Sequence, residues 1–109
     1  MIASIMQPYL FPYVGYFQLL RNSDIFVAYG DVHYMKGGWI NRNNILVNCS
    51  PSLLSLPVIS ASYTLQIKER SYQLDESSIE KVLRKIESAY RKAPNFDATF
   101  ELISGIMAY

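Results

Sequence analysis

The order of apolar runs and prolines in the opening segment constrains the fold of this 109-residue chain more than any other feature. Residues 2–6 form an uncharged apolar run, typical of a strand buried on both faces. Pro8 and Pro12 prevent a regular central strand from continuing, because proline has no N–H to donate, and Pro12 suits the first turn of a helix. Apolar residues recur at helical spacing up to Leu20, and residues 25–29 form a second apolar run. This order predicts a β-α-β crossover and a parallel, Rossmann-like sheet in an α/β fold.

Short strands and loops are predicted through the middle of the chain. Residues 30–44 are polar and contain glycine, which predicts an extended loop. Residues 45–48 and 53–58 are typical of short strands on either side of a turn at residues 49–52. Residues 64–68 alternate apolar and polar side chains, as a half-exposed strand does. We therefore expect some strands of mixed direction after the parallel opening.

Two helices are predicted at the C-terminal end. Ser77 and Glu80 have the spacing of a capping box, and one helical stripe follows, formed by Ile79, Val82, Leu83, Ile86 and Tyr90. Pro94 ends or kinks this helix, and a second stripe consists of Phe96, Phe100, Ile103, Ile106 and Met107. No glycine or charged cap follows that second stripe. We therefore expect residues 1–109 to be a single domain, the N-terminal portion of a longer protein whose missing C-terminal region covers the last helix.

The charge balance argues against polyanionic partners. Ten basic and nine acidic side chains leave a formal net charge of +1, so no strong field attracts nucleic acid or an anionic membrane. Cys49 is the sole cysteine, which is typical of a reducing compartment. Residues 1–6 lack the basic region of a signal peptide, and no apolar stretch approaches the roughly 20 residues that span a bilayer. These features predict a cytoplasmic protein without nucleic-acid partners and without direct membrane insertion.

Polar clusters follow both strands of the predicted β-α-β unit. The first is residues 7–16, and the second is residues 31–36, which lead into residues 37–43. Since the carboxyl ends of parallel strands meet at one sheet edge, where ligands of open α/β folds bind, we expect a single pocket there. A helix N-terminus also lies at this edge, and Gly15 would let a phosphate or carboxylate approach its free N–H groups. The alternative for Gly15 is close packing between helix and sheet.

Two residues of the second cluster are catalytic candidates. The carboxylate of Asp31 fits a general base that acts on an amine or hydroxyl, and its alternative is a cap for the loop. His33 is the second candidate, with a polar position in the cleft as its alternative. Because His33 is the only histidine, a site of several histidines is excluded. We assign no metal ligand, and the sequence identifies no cofactor.

The binding candidates come from both clusters. Lys36 and Arg42 are suited to holding a phosphate or carboxylate, Arg42 through a bidentate contact. Asn41 and Asn43 can donate and accept hydrogen bonds, as ligand hydroxyls require, or can form turns. Trp39 is suited to stacking on a sugar or to forming a wall of the cleft. The remaining candidates, which either orient the substrate or simply pack, are Gln7, Tyr13 and Tyr16.

The two clusters also carry a family resemblance. Residues 6–20 are MQPYLFPYVGYFQLL and residues 39–43 are WINRN, and this combination resembles the WbqC-like family. The segment YRKAP that begins at Tyr90 is similar to a later part of the same family. The chain departs from the family's usual pattern at three positions. Aspartate, glutamine and a basic residue are usual where this chain has Gly30, His33 and Gly37.

The resemblance implies a transferase that modifies an amino sugar, by glycyl or other acyl transfer, in O-antigen or related surface-polysaccharide synthesis. It also implies a sugar nucleotide or a lipid-linked sugar as substrate. Gly30 removes one of two adjacent carboxylates, so Asp31 remains alone at that point. The alternative is a non-catalytic sugar-binding scaffold protein of the same pathway. A single-stranded RNA binder that stacks bases on tyrosines is disfavoured, because such a protein needs a basic groove.

A second, weaker similarity concerns the start of the first helix. The spacing Tyr13-x-Gly15-Tyr16 after a strand is similar to the H-x-G-H signature of nucleotidyltransferase-like α/β domains, with tyrosine at both histidine positions. Tyrosine is mostly un-ionised near neutral pH, so it cannot stabilise phosphate charge as imidazolium does. The similarity therefore implies a related fold and ancestral nucleotide binding, without the same chemistry.

Overall fold

The computed structural model describes residues 1–60 and 65–108, which divide into two compact units. Over the described residues, the first unit comprises Met1–Asn43 and Val58–Ser71, and the second comprises Asn44–Pro57 and Tyr72–Tyr109. The elements in chain order are β1 (Ala3–Met6), α1 (Val14–Arg21), β2 (Ile25–Ala28), β3 (Arg42–Val47), β4 (Ser50–Ser55), a 3-10 turn (Ile67–Glu69), α2 (Glu76–Tyr90) and α3 (Phe96–Met107). No helix within the described ranges combines the length and the apolar character needed to cross a membrane.

The first unit opens with the β-α-β crossover that the sequence predicts. β1 and β2 pair in parallel, with Ala3 opposite Ile25 and Met6 opposite Ala28, and α1 connects them. The buried hydroxyl of Ser4 hydrogen-bonds with that of Ser23 over 2.6 Å, so this polar group is satisfied inside the unit. The predicted parallel pairing is confirmed.

The parallel sheet has two strands within the described residues, and β3 and β4 form a separate two-stranded sheet. The α/β class, the mixed strand directions and the helices at the C-terminal end are therefore confirmed. The larger Rossmann-like sheet is not confirmed.

Helix α1 begins later than predicted. Val14 is its first residue and Tyr13 is its N-cap, so Pro12 precedes the cap instead of occupying the first turn. Phe11 has a positive φ of 45°, which redirects the chain immediately before the proline. The first helical turn then closes when the Tyr16 N–H donates to the Tyr13 carbonyl over 3.0 Å.

The predicted strand at residues 64–68 is wrong over its described part, and Thr64 lies outside the described residues. Gln66 makes an isolated antiparallel bridge with His33, and the chain then enters the 3-10 turn. A side-chain carboxylate oxygen of Glu69 accepts from the Gln66 N–H over 2.7 Å. Because this local bond satisfies a backbone donor, the segment does not need a strand partner for that group.

β3 and β4 form an antiparallel hairpin with a two-residue turn, and its residues from Asn44 onward belong to the second unit. Asn48 and Cys49 have φ values of 49° and 61°, the left-handed pair that type I′ hairpin turns require. The predicted turn at residues 49–52 is wrong, since the turn consists of Asn48 and Cys49. Cysteine is not the usual residue at the second position of such a turn. β3 also starts at Arg42, inside the predicted loop of residues 30–44.

Helix α2 has the predicted apolar stripe but a different cap. The N-cap is Asp75, whose carboxylate accepts from the Ser78 N–H over 3.1 Å, so the predicted capping box of Ser77 and Glu80 is wrong. Asp75 lies two residues earlier and satisfies the same kind of free N–H. The α2 stripe is confirmed where Val82 and Ile86 are buried. The predicted break at Pro94 is also confirmed, since the proline lies between the end of α2 and the start of α3.

Candidate functional site

The candidate site is the rim formed by the carboxyl ends of β1 and β2 in the first unit. Gln7 directly follows β1, and Tyr29 directly follows β2. The Tyr29 N–H donates to the Met6 carbonyl over 2.7 Å, so the two strands still lie side by side where they end. The segments that leave these strands therefore start from neighbouring points on one edge.

Two loops that follow these strands are joined by hydrogen bonds. We name them the proline loop (residues 7–12) and the tryptophan loop (residues 37–43, of which the last two begin β3). The Leu10 N–H donates to the Ile40 carbonyl over 3.0 Å, and the Asn43 side-chain amide donates to the Phe11 carbonyl over 2.8 Å. The prediction that these two stretches lie together is confirmed.

Tyr16 holds the proline loop through a hydrogen bond from its hydroxyl. Its side chain is 6% exposed, and its hydroxyl donates to the Gln7 carbonyl over 2.8 Å. The ring lies beside those of Tyr9 and Phe26, with centroids 5.9 and 5.6 Å away. Burial, with a smaller contribution from Tyr9, raises the pKa of Tyr16 above its ordinary 10.0. The Tyr16 hydroxyl is therefore a neutral donor used inside the protein, while Gln7 keeps a half-buried side chain at the rim.

Arg42 shapes the tryptophan loop. Its Nε donates to the Gly38 carbonyl over 3.0 Å, and its Nη2 donates to the Gly37 carbonyl. Its guanidinium carbon also lies 5.9 Å from the centroid of the Trp39 ring, within range of a cation–π contact. Gly37 has a φ of 86°, a conformation that favours glycine. Arg42 thus holds a loop whose Trp39 side chain is 47% exposed.

The two catalytic candidates lie on the segment that leaves β2. Asp31 is exposed and forms an ion pair with Lys68, and this carboxylate raises the pKa of the lysine through its hydrogen bond and its charge. His33 is exposed and bridges to Gln66. The Asp31 carboxylate is therefore accessible to solvent but already has a cationic neighbour.

Asn41 belongs to a small polar and aromatic cluster that the sequence did not reveal. The Tyr34 hydroxyl donates to the Asn41 side-chain oxygen over 2.8 Å, and the Arg70 guanidinium lies 4.8 Å from the centroid of the Tyr34 ring. Tyr34 and Arg70 are both half-buried. Tyr34 lies inside the second polar cluster, so its sequence position was a usable signal. Arg70 and Lys68 carried no such signal, because they are distant in the chain.

The remaining candidates lie at the surface of the first unit. Tyr13 is 64% exposed at the N-cap of α1, and its ring lies where a Cβ on Gly15 would project. Gly15 therefore makes room for Tyr13, a neighbour that neither of its predicted roles included. Lys36 is exposed, and no ion pair among the described residues includes it. Nowhere in the described ranges do three histidine, cysteine, aspartate or glutamate side chains group closely enough to hold a metal ion.

Comparisons with known proteins bear on the family. The model of the WbqC-like protein family matches residues 7–109. The uncharacterized protein Rv1507c of Mycobacterium tuberculosis is 34% identical over 70 residues, which are 64% of this chain and 27% of that protein. The matched part thus spans about a quarter of this relative's length. No solved structure matches the chain. Since the family model covers nearly the whole chain, including both loops of the rim, the chain belongs to the WbqC-like protein family.

Proposed function

We propose that the rim binds the sugar part of a sugar nucleotide or lipid-linked sugar, and that the whole protein is a transferase that acylates an amino sugar in surface-polysaccharide assembly. The observation that carries this proposal is the joining of the proline and tryptophan loops by the bonds from Leu10 and Asn43. These bonds bring an exposed aromatic ring and several polar side chains onto one edge of the parallel pair. Sugars present both apolar ring faces and hydroxyls, so they need that combination of partners.

Trp39 is the proposed sugar platform. Its ring is about half exposed, and the contact with Arg42 restrains the loop that carries it. A ring that is already oriented loses less conformational entropy when a ligand stacks on it. Two donors of Arg42 are engaged by backbone carbonyls. We therefore propose that Arg42 positions Trp39, and we assign the holding of a substrate anion to the exposed Lys36.

Asp31 is the proposed general base. In acyl transfer, the nitrogen of the sugar amine attacks the carbonyl carbon of an activated acyl donor. The new N–C bond forms, the bond from that carbon to the leaving group breaks, and the carboxylate accepts a proton from the nitrogen. Asp31 is exposed to solvent beside its ion-pair partner Lys68, so a substrate amine can reach the carboxylate.

A non-catalytic sugar-binding scaffold is the second candidate function. It is favoured by one observation, namely that Asp31 and Arg42 already have partners within the protein. A binding protein needs only the platform and the hydrogen-bonding shell. Turnover of an amino-sugar nucleotide with an activated acyl donor by purified full-length protein distinguishes the two functions. Stoichiometric binding without any product would favour the scaffold.

The decisive experiment changes the base and the platform separately in the full-length protein. We expect Asp31→Asn to abolish formation of the modified amino sugar in the cell's polysaccharide, since removal of a general base typically costs 10²–10⁴-fold in rate. We expect Trp39→Ala to weaken binding of the sugar substrate by about tenfold or more, while any remaining turnover still depends on Asp31.

Asp97→Asn is the matched control for the first change. It removes the same charge, and Asp97 is an exposed carboxylate in the first turn of α3. It should leave the product unchanged. Full product from Asp31→Asn would exclude Asp31 as the base. Unaltered sugar binding by Trp39→Ala would exclude the rim as the binding site.

A further inference from the structure

The second unit contains an open cleft whose lining residues are all different from those of the rim. It has a volume of about 680 Å³ and lies between the turn of the β3–β4 hairpin and the C-terminal half of α2. Asn48 and Cys49 of the turn form one wall. Side chains from the last two turns of α2 and the residues just after it form the other. We refer to it as the hairpin cleft.

The helix wall of the hairpin cleft contains four polar side chains on one face of α2, beside Ala89, Tyr90 and Lys92. Arg84, Glu87, Ser88 and Arg91 all line the cleft, and their spacing of three, four and seven residues places them on one side of α2. The helix residues Val82 and Ile86, which belong to the buried stripe, do not line it. Arg84 and Arg91 are exposed to solvent at the cleft, opposite the hairpin turn.

The cleft is cationic although the chain is nearly neutral. Three cationic side chains, Arg84, Arg91 and Lys92, line it against one carboxylate, that of Glu87. Arg84 pairs with Glu80 and Arg91 with Glu87, but both are exposed pairs of the (i, i+4) type that contribute little and exchange readily for a stronger anion. Within the described part of the chain, Lys92 takes part in no ion pair.

Tyr90 supplies a neutral donor beside these cations. Its hydroxyl oxygen accepts from the Leu46 N–H over 3.0 Å, which fixes the hydroxyl at the cleft and leaves its hydrogen for a ligand. Cations after a helix C-terminus also complement the helix dipole. That effect accounts for Arg91 and Lys92, but it does not account for Arg84, which lies two turns earlier.

We propose that the hairpin cleft binds a diphosphate group. Three cationic side chains line the cleft against one carboxylate, so an anion with several negative charges, such as a diphosphate, matches them better than a singly charged anion. Arginine and lysine side chains make strong charge-assisted hydrogen bonds to phosphate oxygens. Nucleotide sugars and lipid-linked sugars both carry this group, and the proposal does not depend on the function assigned to the rim.

The test measures binding of inorganic pyrophosphate to the full-length protein by isothermal titration calorimetry at low ionic strength. We expect Arg84→Gln and Lys92→Gln each to weaken binding by about tenfold, the loss of one charge-assisted contact. Lys81→Gln is the matched control, because it removes the same charge from an exposed position of α2 that does not line the cleft. It should change the affinity by less than about twofold. The changed residues all lie in α2 or just after it, so thermal unfolding of each variant checks that the helix and the fold are kept.

Competition with pyrophosphate then identifies the source of the diphosphate. Displacement by uridine diphosphate supports a nucleotide ligand, and displacement by neutral vesicles that carry a prenyl diphosphate supports a lipid ligand. Absence of pyrophosphate binding overturns the proposal. So does a loss of affinity in Lys81→Gln equal to that in the cleft variants, since it would indicate non-specific attraction. Failure here leaves the sugar-binding test at the rim unaffected.

Discussion

The two units of the protein are stabilised by different kinds of contact. Among the described residues of the second unit the buried side chains are aliphatic or thioether groups from the hairpin, the residue just after it and the two helices, namely Ile45, Leu54, Leu56, Val82, Ile86 and Met107. In the first unit the buried set is smaller and includes the phenol of Tyr16 and the hydroxyl of Ser4. Its loops are instead tied by side chains that donate to backbone carbonyls, as Asn43 does to Phe11 and Arg42 does to Gly38.

This difference separates stability from positioning. Apolar burial is non-directional and roughly proportional to area, so it stabilises a unit without specifying the path of a loop. A hydrogen bond to a carbonyl requires a defined distance and angle, so it places a loop while contributing only about 1 kcal/mol. The loops proposed to bind sugar are held by such directional contacts. The comparison can be tested by changing each kind of contact in turn.

The largest effect is expected from the apolar unit. Leu54 is 2% exposed, and Leu54→Ala should lower the free energy of unfolding by about 3 kcal/mol, because it removes buried methyl groups and leaves a cavity. Leu53→Ala is the control, since the preceding leucine is 45% exposed and points to the other face of β4. Denaturant unfolding measures both. Equal losses in the two variants would contradict the assignment of the core.

A smaller effect is expected from the hydrogen bond between Tyr16 and the proline loop. Tyr16→Phe keeps the buried ring but removes the hydroxyl that donates to the Gln7 carbonyl, so we expect a loss of about 1–2 kcal/mol. Tyr13→Phe removes a hydroxyl from an exposed ring on the same helix end and should change stability by less than about 0.5 kcal/mol. Unfolding followed by tyrosine fluorescence distinguishes them. A Tyr16→Phe protein as stable as the parent would show that the hydroxyl is not a structural tie.

The smallest effect concerns the cap of α2 and appears only in acid. Hydrogen bonds from Ser78 lower the pKa of Asp75 below its ordinary 3.8 in the folded protein. The resulting stabilisation is present above the pKa of the unfolded chain and is lost as the pH falls through the lower folded value. Asp75→Asn retains a capping side chain but cannot titrate there. Its melting temperature should therefore fall less than that of the parent as the pH is lowered below 3.8. An identical pH dependence in both proteins would exclude Asp75 as the titrating cap.

The parts of the fold that were predictable depend on local patterns. The parallel pairing of β1 and β2 followed from two apolar runs separated by a helix, and the burial of Val82 and Ile86 followed from a stripe at helical spacing. Where two local signals compete, the sequence alone did not rank them. Asp75 and Ser77 are both good N-caps, and the helix begins after the earlier one. The turn was predicted at residues 49–52 and not at Asn48–Cys49 for a similar reason, because the Ser and Pro residues after Cys49 are also turn formers.

The candidate site was predictable in outline and not in its contacts. The meeting of the proline and tryptophan loops followed from the parallel topology, which places the ends of neighbouring strands together. The neighbours of each side chain did not follow from it. Lys68 pairs with Asp31, and Arg70 lies over Tyr34, although more than thirty residues separate each pair in the chain. No short-range pattern encodes such partners.

By itself, the sequence determined the α/β class, the parallel opening pair, the break at Pro94 and the meeting of the proline and tryptophan loops. It did so because apolar periodicity and proline act over a few residues and bias the backbone directly. The tertiary structure alone decided that the Tyr16 hydroxyl and the Arg42 guanidinium bind carbonyls of the rim, and that the cations of α2 face a hairpin turn. Those contacts depend on which distant segments fold back within reach, and a hydrogen bond or ion pair forms only when both partners are there.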